Sequence, residues 1–502
     1  MTRRTVLALL GLCIALRAAS LVRPCLSDDE AIYAVIAREM LSGRALYVDV
    51  IDHKPPAIYV TYAAMQAIGG PVGGMLLLHL LLIGVVFATG LVLATIVRRH
   101  GCSADPRAPA AAALLWIVFT TTLIDVDALA ANCELFMMLP LVGAVAVFLA
   151  ARDRLAHYAL AGALVGVACL FKYQAGIQLP VLAVAIAWQR RGTGHRLLAL
   201  AATGAGFAAL LGLAIATMWL RGGLDGAVFW WKFNFAYIDA GTSWHELIVR
   251  LAVRGGLVAG SAALLYTLGI AAVIRGLREP FVRFTAGWLI ASAIAVFVGG
   301  RFFGHYFHQL TAPLAVLAAP ATVQLWDRRR AVVVLAIAVP ALGYLVLSAL
   351  HDELMLWYGE PDPDYASVAD WLDQRDPGGD QALCIWGNSP VLYFEAERPL
   401  GCRFVFSNYL TGLSPATATQ TDPTVDSSPN IVAEAWPMLE RDLGERQPRF
   451  IVDGSPGNVG LYGKYPPVKF PRLSRVLACA YEPRADIAGM RIYERRPDPR
   501  CM

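Results

Sequence analysis

Residues 27–56 open with Ser27-Asp28-Asp29-Glu30-Ala31-Ile32-Tyr33 and close with Asp52-His53-Lys54-Pro55-Pro56. They gather charge in a chain with little elsewhere. Of 502 residues, 57% are hydrophobic and 16% charged, and the mean hydropathy is +0.54; a soluble domain carries roughly a quarter charged residues. The chain therefore reads as an integral membrane protein, with this stretch as a loop held at the membrane surface. The net charge of +4 is small, and the arginines sit in short clusters between apolar runs, which argues against a nucleic-acid surface.

Working outward from the loop, an apolar run at 5–22 precedes it behind Arg3 and Arg4. It is read as a retained membrane anchor with a cytoplasmic N-terminus rather than a cleaved signal. Further apolar runs lie at 72–97, 108–124, 135–150, 156–171, 175–189, 196–220, 247–274, 284–299, 309–325 and 331–350. Together they predict about eleven spans. Alternate connections carry the basic residues: Arg98-Arg99, Arg152 with Arg154, Arg190-Arg191 with Arg196, Arg275 with Arg278, and Arg328-Arg329-Arg330. Positive residues stay cytoplasmic, so the connections at 23–71, 125–134, 225–246 and 301–308 are placed outside. An odd span count also puts residues 351–502 outside. There Pro and Gly punctuate a polar sequence with short strand-like runs, such as 383–386 and 450–452, and helical runs, which predicts a small extracytoplasmic α/β domain. Residues 1–350 form the membrane domain. Cys384, Cys402, Cys479 and Cys501 in that tail leave room for one or two disulfides, with the pairing open.

The chemistry gathers in the outer connections. Ser27 and Glu30 suit a helix start, and Ile32, Val35, Ile36 and Met40 recur at helical spacing, predicting an amphipathic interfacial helix. Neighbouring carboxylates at Asp28 and Asp29 repel one another, which suits a general base. Lys54 beside a double proline sits at the mouth of the next helix, and with His53 it makes an anion site fit for a phosphate. Glu134 ends the second outer turn, where it could line the same cavity. In that turn Asp125 and Asp127 are weak candidates for a divalent metal. Lys172 interrupts two apolar runs and needs a partner there. Arg301, His305 and Tyr306 add cations and a ring on the same side, whereas Phe229-Trp230-Trp231-Lys232 reads as an aromatic belt.

Asp29-Glu30 with Tyr33 after the first span, Asp52-His53-Lys54-Pro55-Pro56 some twenty residues on, Glu134 and the stretch from Arg301 to Tyr306 resemble the GT-C membrane glycosyltransferases. The likeness is to the branch of protein mannosyltransferases, aminoarabinose transferases and Rgt-type enzymes (glycosyltransferase family 39-like). It implies a polyprenyl-phosphate sugar donor, an acceptor in the cell envelope at the outer face of the cytoplasmic membrane, and transfer with inversion. It also implies roles: Asp29 as general base, Glu30 and Tyr33 supporting the pocket, Lys54 holding the donor phosphate, and Arg301 with His305 neutralising the departing phosphate. The adjacent Asp28 leaves the choice of base open. A metal is an alternative neutraliser of the phosphate, so no cofactor is assigned. The competing reading is a transporter or flippase of lipid-linked sugars without bond chemistry. Polar groups collected at one face, rather than at the midplane with internal repeats, favour an enzyme.

Overall fold

The computed structural model describes residues 1–23, 25–121, 128–151, 154–189, 191–234, 243–349, 363–415 and 417–498. Up to Ala349 these residues are helical: α1 Arg3–Arg17, α2 Asp28–Leu41, α3 Ala57–His100, α4 Ala108–Phe119, α5 Cys133–Leu149, α6 Leu155–Phe171, α7 Gln178–Ala187, α8 Thr193–Leu220, α9 Leu224–Trp231, α10 Trp244–Ser261, α11 Ala263–Gly276, α12 Pro280–Val298 and α13 His308–Ala349. Among the described residues five helices are long and apolar enough to cross a membrane, or six if α10 and α11, bent by 95°, form one span. The remaining predicted runs are shorter helices, such as the 12-residue α4 and the 17-residue α5 and α6.

Helix breaks explain the difference from a simple tally of runs. At 44 residues α3 is about 66 Å long, over twice the roughly 30 Å hydrocarbon core. It breaks at Gly70, whose φ of 72° no ordinary residue adopts easily, and Pro71 follows. The part before the break sets Tyr59 against Asp52, Tyr62 against Ala131 and Gln66 against Ala34; the part after it is the long apolar run. In α13 the backbone leaves helical geometry at Arg329. Arg17 interacts electrostatically with both His308 and Tyr344, residues that a straight helix would hold about 54 Å apart. The chain therefore reverses at Arg329.

The basic connections gather at one end. Arg107 forms a paired ion contact with Asp327 at 2.6 and 2.7 Å, next to Arg328, Arg329 and Arg330. His100 stacks on Phe281 at 6.4 Å. The described parts of the acidic and aromatic connections meet one another instead, as Glu30 with Ala131 and His53 with Asn234.

Residues 363–498 build a four-stranded sheet of β1 Leu383–Trp386, β2 Phe450–Asp453, β3 Tyr481–Ile487 and β4 Met490–Arg495, in the order β1-β2-β4-β3. β1 and β2 run parallel, and β4 is antiparallel to both β2 and β3. Helices over Tyr365–Arg375, Ala435–Glu445 and Pro471–Ala480 accompany the sheet. β1 and β2 coincide with the strand-like runs 383–386 and 450–452; β3 alternates too weakly to stand out, with one buried residue followed by half-buried and exposed ones. Cys384 and Cys402 are disulfide-bonded, and Cys479 is oxidised as well.

Candidate active site

Helix α2 positions the first carboxylates. Ser27 caps it by accepting a hydrogen bond from the Glu30 amide at 3.3 Å, and three acids in the first turn suit the positive end of the helix. The expected interfacial, half-wetted helix is instead enclosed: Glu30 to Ala37 and Glu39 are all buried. It lies between α3 and the C-terminal part, because Arg38 and Glu39, on its polar side, bind that part rather than water. Arg38 donates to the carbonyls of Tyr393 and Arg398, and Glu39 accepts from the Leu400 amide.

The one-residue offset between Asp28, Asp29 and Glu30 sends them to three different environments. Asp28 is exposed. Glu30 is fully buried, and its carboxylate accepts from the backbone amides of Leu26 and Ala131. His79 lies 3.5 Å away. Asp29 meets Lys54: Nζ donates to Oδ1 at 2.6 Å, and the two side chains are 31% and 21% exposed, so the pair is open to a solute. Lys54 also lies 4.5 Å above the Tyr33 ring. Burial pushes the Asp29 carboxyl up, but the Lys54 ammonium, His305 and the Lys54 hydrogen bond outweigh it and hold Asp29 below the usual carboxylate range. Burial likewise lowers the Lys54 ammonium, and Asp29 and Asp52 reverse that, raising it well above its ordinary value. Both shifts favour the charged pair.

A second cation–carboxylate pair faces the first. Glu134 stands in the first turn of α5 and binds Lys172, the residue that ends α6. Lys172 Nζ is 3.9 Å from the Tyr306 ring centroid, and His305 Nε2 is 3.7 Å from Glu134 Oε1. The turn leading into Glu134 is clamped: Arg17 donates to Leu129 O, Tyr62 donates to Ala131 O at 3.1 Å, and Glu30 takes the Ala131 amide. The two pairs sense one another, since His305 and Glu134 both act on the Asp29 carboxyl. Arg301, buried beside them, donates to Ser414 Oγ at 3.2 Å.

Asp52 is the residue that sequence reasoning left inside a motif without a task. It is buried, accepts from the Tyr59 hydroxyl at 2.7 Å and from the His53 amide at 2.7 Å, and lies 3.0 Å from His53 Nδ1. The carbonyls of His53 and Lys54 are held by Asn234 at 3.1 Å and by the Tyr47 hydroxyl at 2.7 Å. Tyr409 of the C-terminal part reaches His53 as well. No local pattern marks Asn234, Ser414 or Tyr409, because each acts through a contact distant in sequence; Tyr47 reaches Lys54 within its own loop. Trp230 belongs here too: it is buried against Tyr409 and Phe233, with centroids at 4.8 and 5.4 Å, rather than standing in an aromatic belt. Among the described residues no group of three or more His, Cys, Asp or Glu is placed to hold a metal; Asp125 and Asp127 lie outside the described residues.

No protein-family pattern and no curated protein sequence matches this chain. Solved structures do. ArnT from Cupriavidus metallidurans superposes with a TM-score of 0.61 at 18% identity, covering 97% of each chain. The chain has the GT-C fold. The oligosaccharyltransferase AglB from Archaeoglobus fulgidus gives a TM-score of 0.58 at 14% identity, over 98% of this chain and 74% of that one. The mycobacterial arabinofuranosyltransferase AftD gives 0.52 at 14% identity, and this chain spans 40% of its length. All three are GT-C superfamily membrane glycosyltransferases. ArnT has been solved bound to undecaprenyl phosphate, and AglB in complex with an inhibitory peptide and a dolichol-phosphate.

Proposed function

We propose that this chain is a glycosyltransferase that moves a sugar from a polyprenyl-phosphate donor to an envelope acceptor, a lipid, glycan or protein, on the outer face of the cytoplasmic membrane. The observation that carries the reading is the Asp29–Lys54 pair at 2.6 Å, part-exposed and near the Glu134–Lys172 pair. A carboxylate to take a proton and several cations to hold a phosphate are what the reaction needs. The acceptor hydroxyl gives its proton to Asp29, and its oxygen forms the new bond at the anomeric carbon. The bond from that carbon to the phosphate oxygen breaks, and the polyprenyl phosphate leaves with the electron pair. Lys54 holds that phosphate, with Lys172, Arg301 and His305 sharing its charge. Glu30 positions the second outer turn, and Tyr33 forms the wall behind Lys54.

The fold supports membrane residence. We infer an arrangement of about eleven spanning segments in residues 1–350, a cytoplasmic N-terminus and an extracytoplasmic α/β domain at 351–502. The basic connections gathered at one end are consistent with the positive-inside rule, and disulfides in the tail are consistent with an oxidising compartment.

Mass spectrometry of envelope glycolipids and glycoproteins tests the function whichever sugar is transferred. Cells lacking this protein should lose one glycosylated species, regained with the parent chain but not with Asp29→Asn. If nothing glycosylated changes and a lipid-linked sugar accumulates inside the cell, the chain is a flippase instead.

A further inference from the structure

The C-terminal part grips the very loop that carries Lys54. Ile51 donates its amide to Arg403 O at 3.0 Å. The Arg403 guanidinium donates to Val48 O at 3.0 Å while bound to both Asp442 oxygens at 2.7 and 2.9 Å. Arg446 donates to Asp49 O at 3.0 Å, and from the other side Arg44 donates to Leu400 O at 2.8 Å. Arginines thus satisfy the carbonyls of the loop just before Asp52. One side chain goes further, toward the chemistry itself.

Tyr409 is buried, its ring wedged against Trp230 at 4.8 Å and Phe233 at 5.3 Å. Its hydroxyl lies 3.0 Å from His53 Nδ1, the same nitrogen that lies 3.0 Å from Asp52 Oδ1. A carboxylate only accepts, so the proton between them belongs on Nδ1. That single N–H is shared between two acceptors, the Asp52 carboxylate and the Tyr409 hydroxyl oxygen, which together fix the imidazole ring. His53 in turn fixes Asp52, and Asp52 helps hold Lys54 charged.

We propose that Tyr409 is a positioning residue through which the C-terminal part sets Lys54 for the donor phosphate. The hydroxyl holds His53, His53 and Tyr59 hold Asp52, and the Asp52-His53-Lys54 backbone then presents the ammonium at a fixed height over Tyr33. This rests on the reading of Lys54 as the donor-phosphate group. The tail thereby takes part in donor binding although none of its residues needs to touch the lipid.

The test is a binding titration of undecaprenyl phosphate to the purified full-length chain in lipid nanodiscs. The variants are Lys54→Ala, His53→Ala, Tyr409→Phe and the double change His53→Ala with Tyr409→Phe. Tyr409→Phe keeps the ring contacts to Trp230 and Phe233, so it should melt like the parent. The loss of one hydrogen bond to a charged network should still weaken binding about tenfold. The double variant should bind no more weakly than His53→Ala alone, since the hydroxyl acts through that ring. Parent-like binding by Tyr409→Phe overturns the inference, as does a double variant whose losses add in full. If Tyr409→Phe does not fold, parent-like binding by His53→Ala, whose ring is 20% exposed, overturns it equally. Lys54→Ala separates the two layers: lost binding there with normal binding in Tyr409→Phe sinks the Tyr409 link alone, whereas normal binding in Lys54→Ala sinks the phosphate reading and the link with it.

Discussion

A carboxylate paired with a lysine is a weak base, and Asp29, the proposed base, is paired with Lys54. In the free protein the carboxyl sits below its ordinary range because of that ammonium. Its contribution to stability is therefore present above the unfolded value of about 4 and is lost as pH falls through the depressed folded value. Lys54 is raised, so its contribution is present below about 10 and is lost only as pH rises through its folded value. Between those limits the pair is intact. A donor phosphate drawing Lys54 away removes the main influence that lowers Asp29, and the phosphate's own negative charge pushes the carboxyl up. The acid limb of kcat should consequently lie at higher pH than the acid limb of kcat/KM, since kcat reports the loaded enzyme and kcat/KM the free one. Coincident limbs would mean that Lys54 stays on Asp29 throughout. Glu30 calls for a different measurement. Its carboxylate takes two backbone amides in a buried site, so Glu30→Gln should cost about 1–3 kcal/mol of stability, read by thermal melting. Asp29 and Lys54 were legible in the sequence because charge beside a helix start and beside a double proline is conspicuous in an apolar chain. The separate surroundings of Asp28, Asp29 and Glu30 were not, since only the rotation of α2 against its neighbours decides which carboxylate meets Lys54.

At the scale of elements, the helix-forming runs were legible, and their joins only in part. Hydropathy marks 309–325 and 331–350 as two runs, and the backbone leaves helical geometry between them, at Arg329. It marks 72–97 as a span, and the structure extends that helix back to Ala57 through Gly70. A Cβ at Gly70 would meet nothing within 4 Å, so Gly70→Ala isolates the backbone cost of its positive φ. That cost should be about 1–3 kcal/mol, measured as a lowered melting temperature with the pocket residues unchanged. Packing between α6 and α8 makes the opposite case. A Cβ at Gly162 would come within 1.9 Å of Thr203 O, and one at Gly206 within 1.9 Å of Ala159 O. Here two helices approach until their backbones touch, a contact that small residues permit within membranes. Either residue changed to Leu should separate α6 from α8 and displace Lys172 at the end of α6, reducing transfer as well as stability. Retained activity in Gly206→Leu would show that Lys172 is placed by other contacts.

Across the whole molecule, the sheet-bearing tail and the helical bundle meet at the site rather than beside it. The segment 398–404 lies against residues 38–51 through Arg398, Leu400 and Arg403, and it is tied to β1 by the Cys384–Cys402 disulfide. That tie has a consequence for donor handling. Closing a loop with a sequence separation of 18 restricts the unfolded chain by about 3 kcal/mol in the chain-entropy account. Without it, the same segment must be ordered by packing and by its hydrogen bonds to Arg38, Glu39, Arg44, Ile51 and Asp442. Replacing both cysteines with alanine should therefore loosen 398–404 first, before the helical bundle. Limited proteolysis should cut the variant near Arg398 or Arg403 under conditions in which the parent resists. Undecaprenyl phosphate binding should weaken in parallel, because Ile51, and through it Asp52 and Lys54, depends on the Arg403 carbonyl. Cleavage without any change in binding would show instead that the first outer loop keeps its shape unaided, held by Tyr47, Tyr59 and Asn234 from the bundle side.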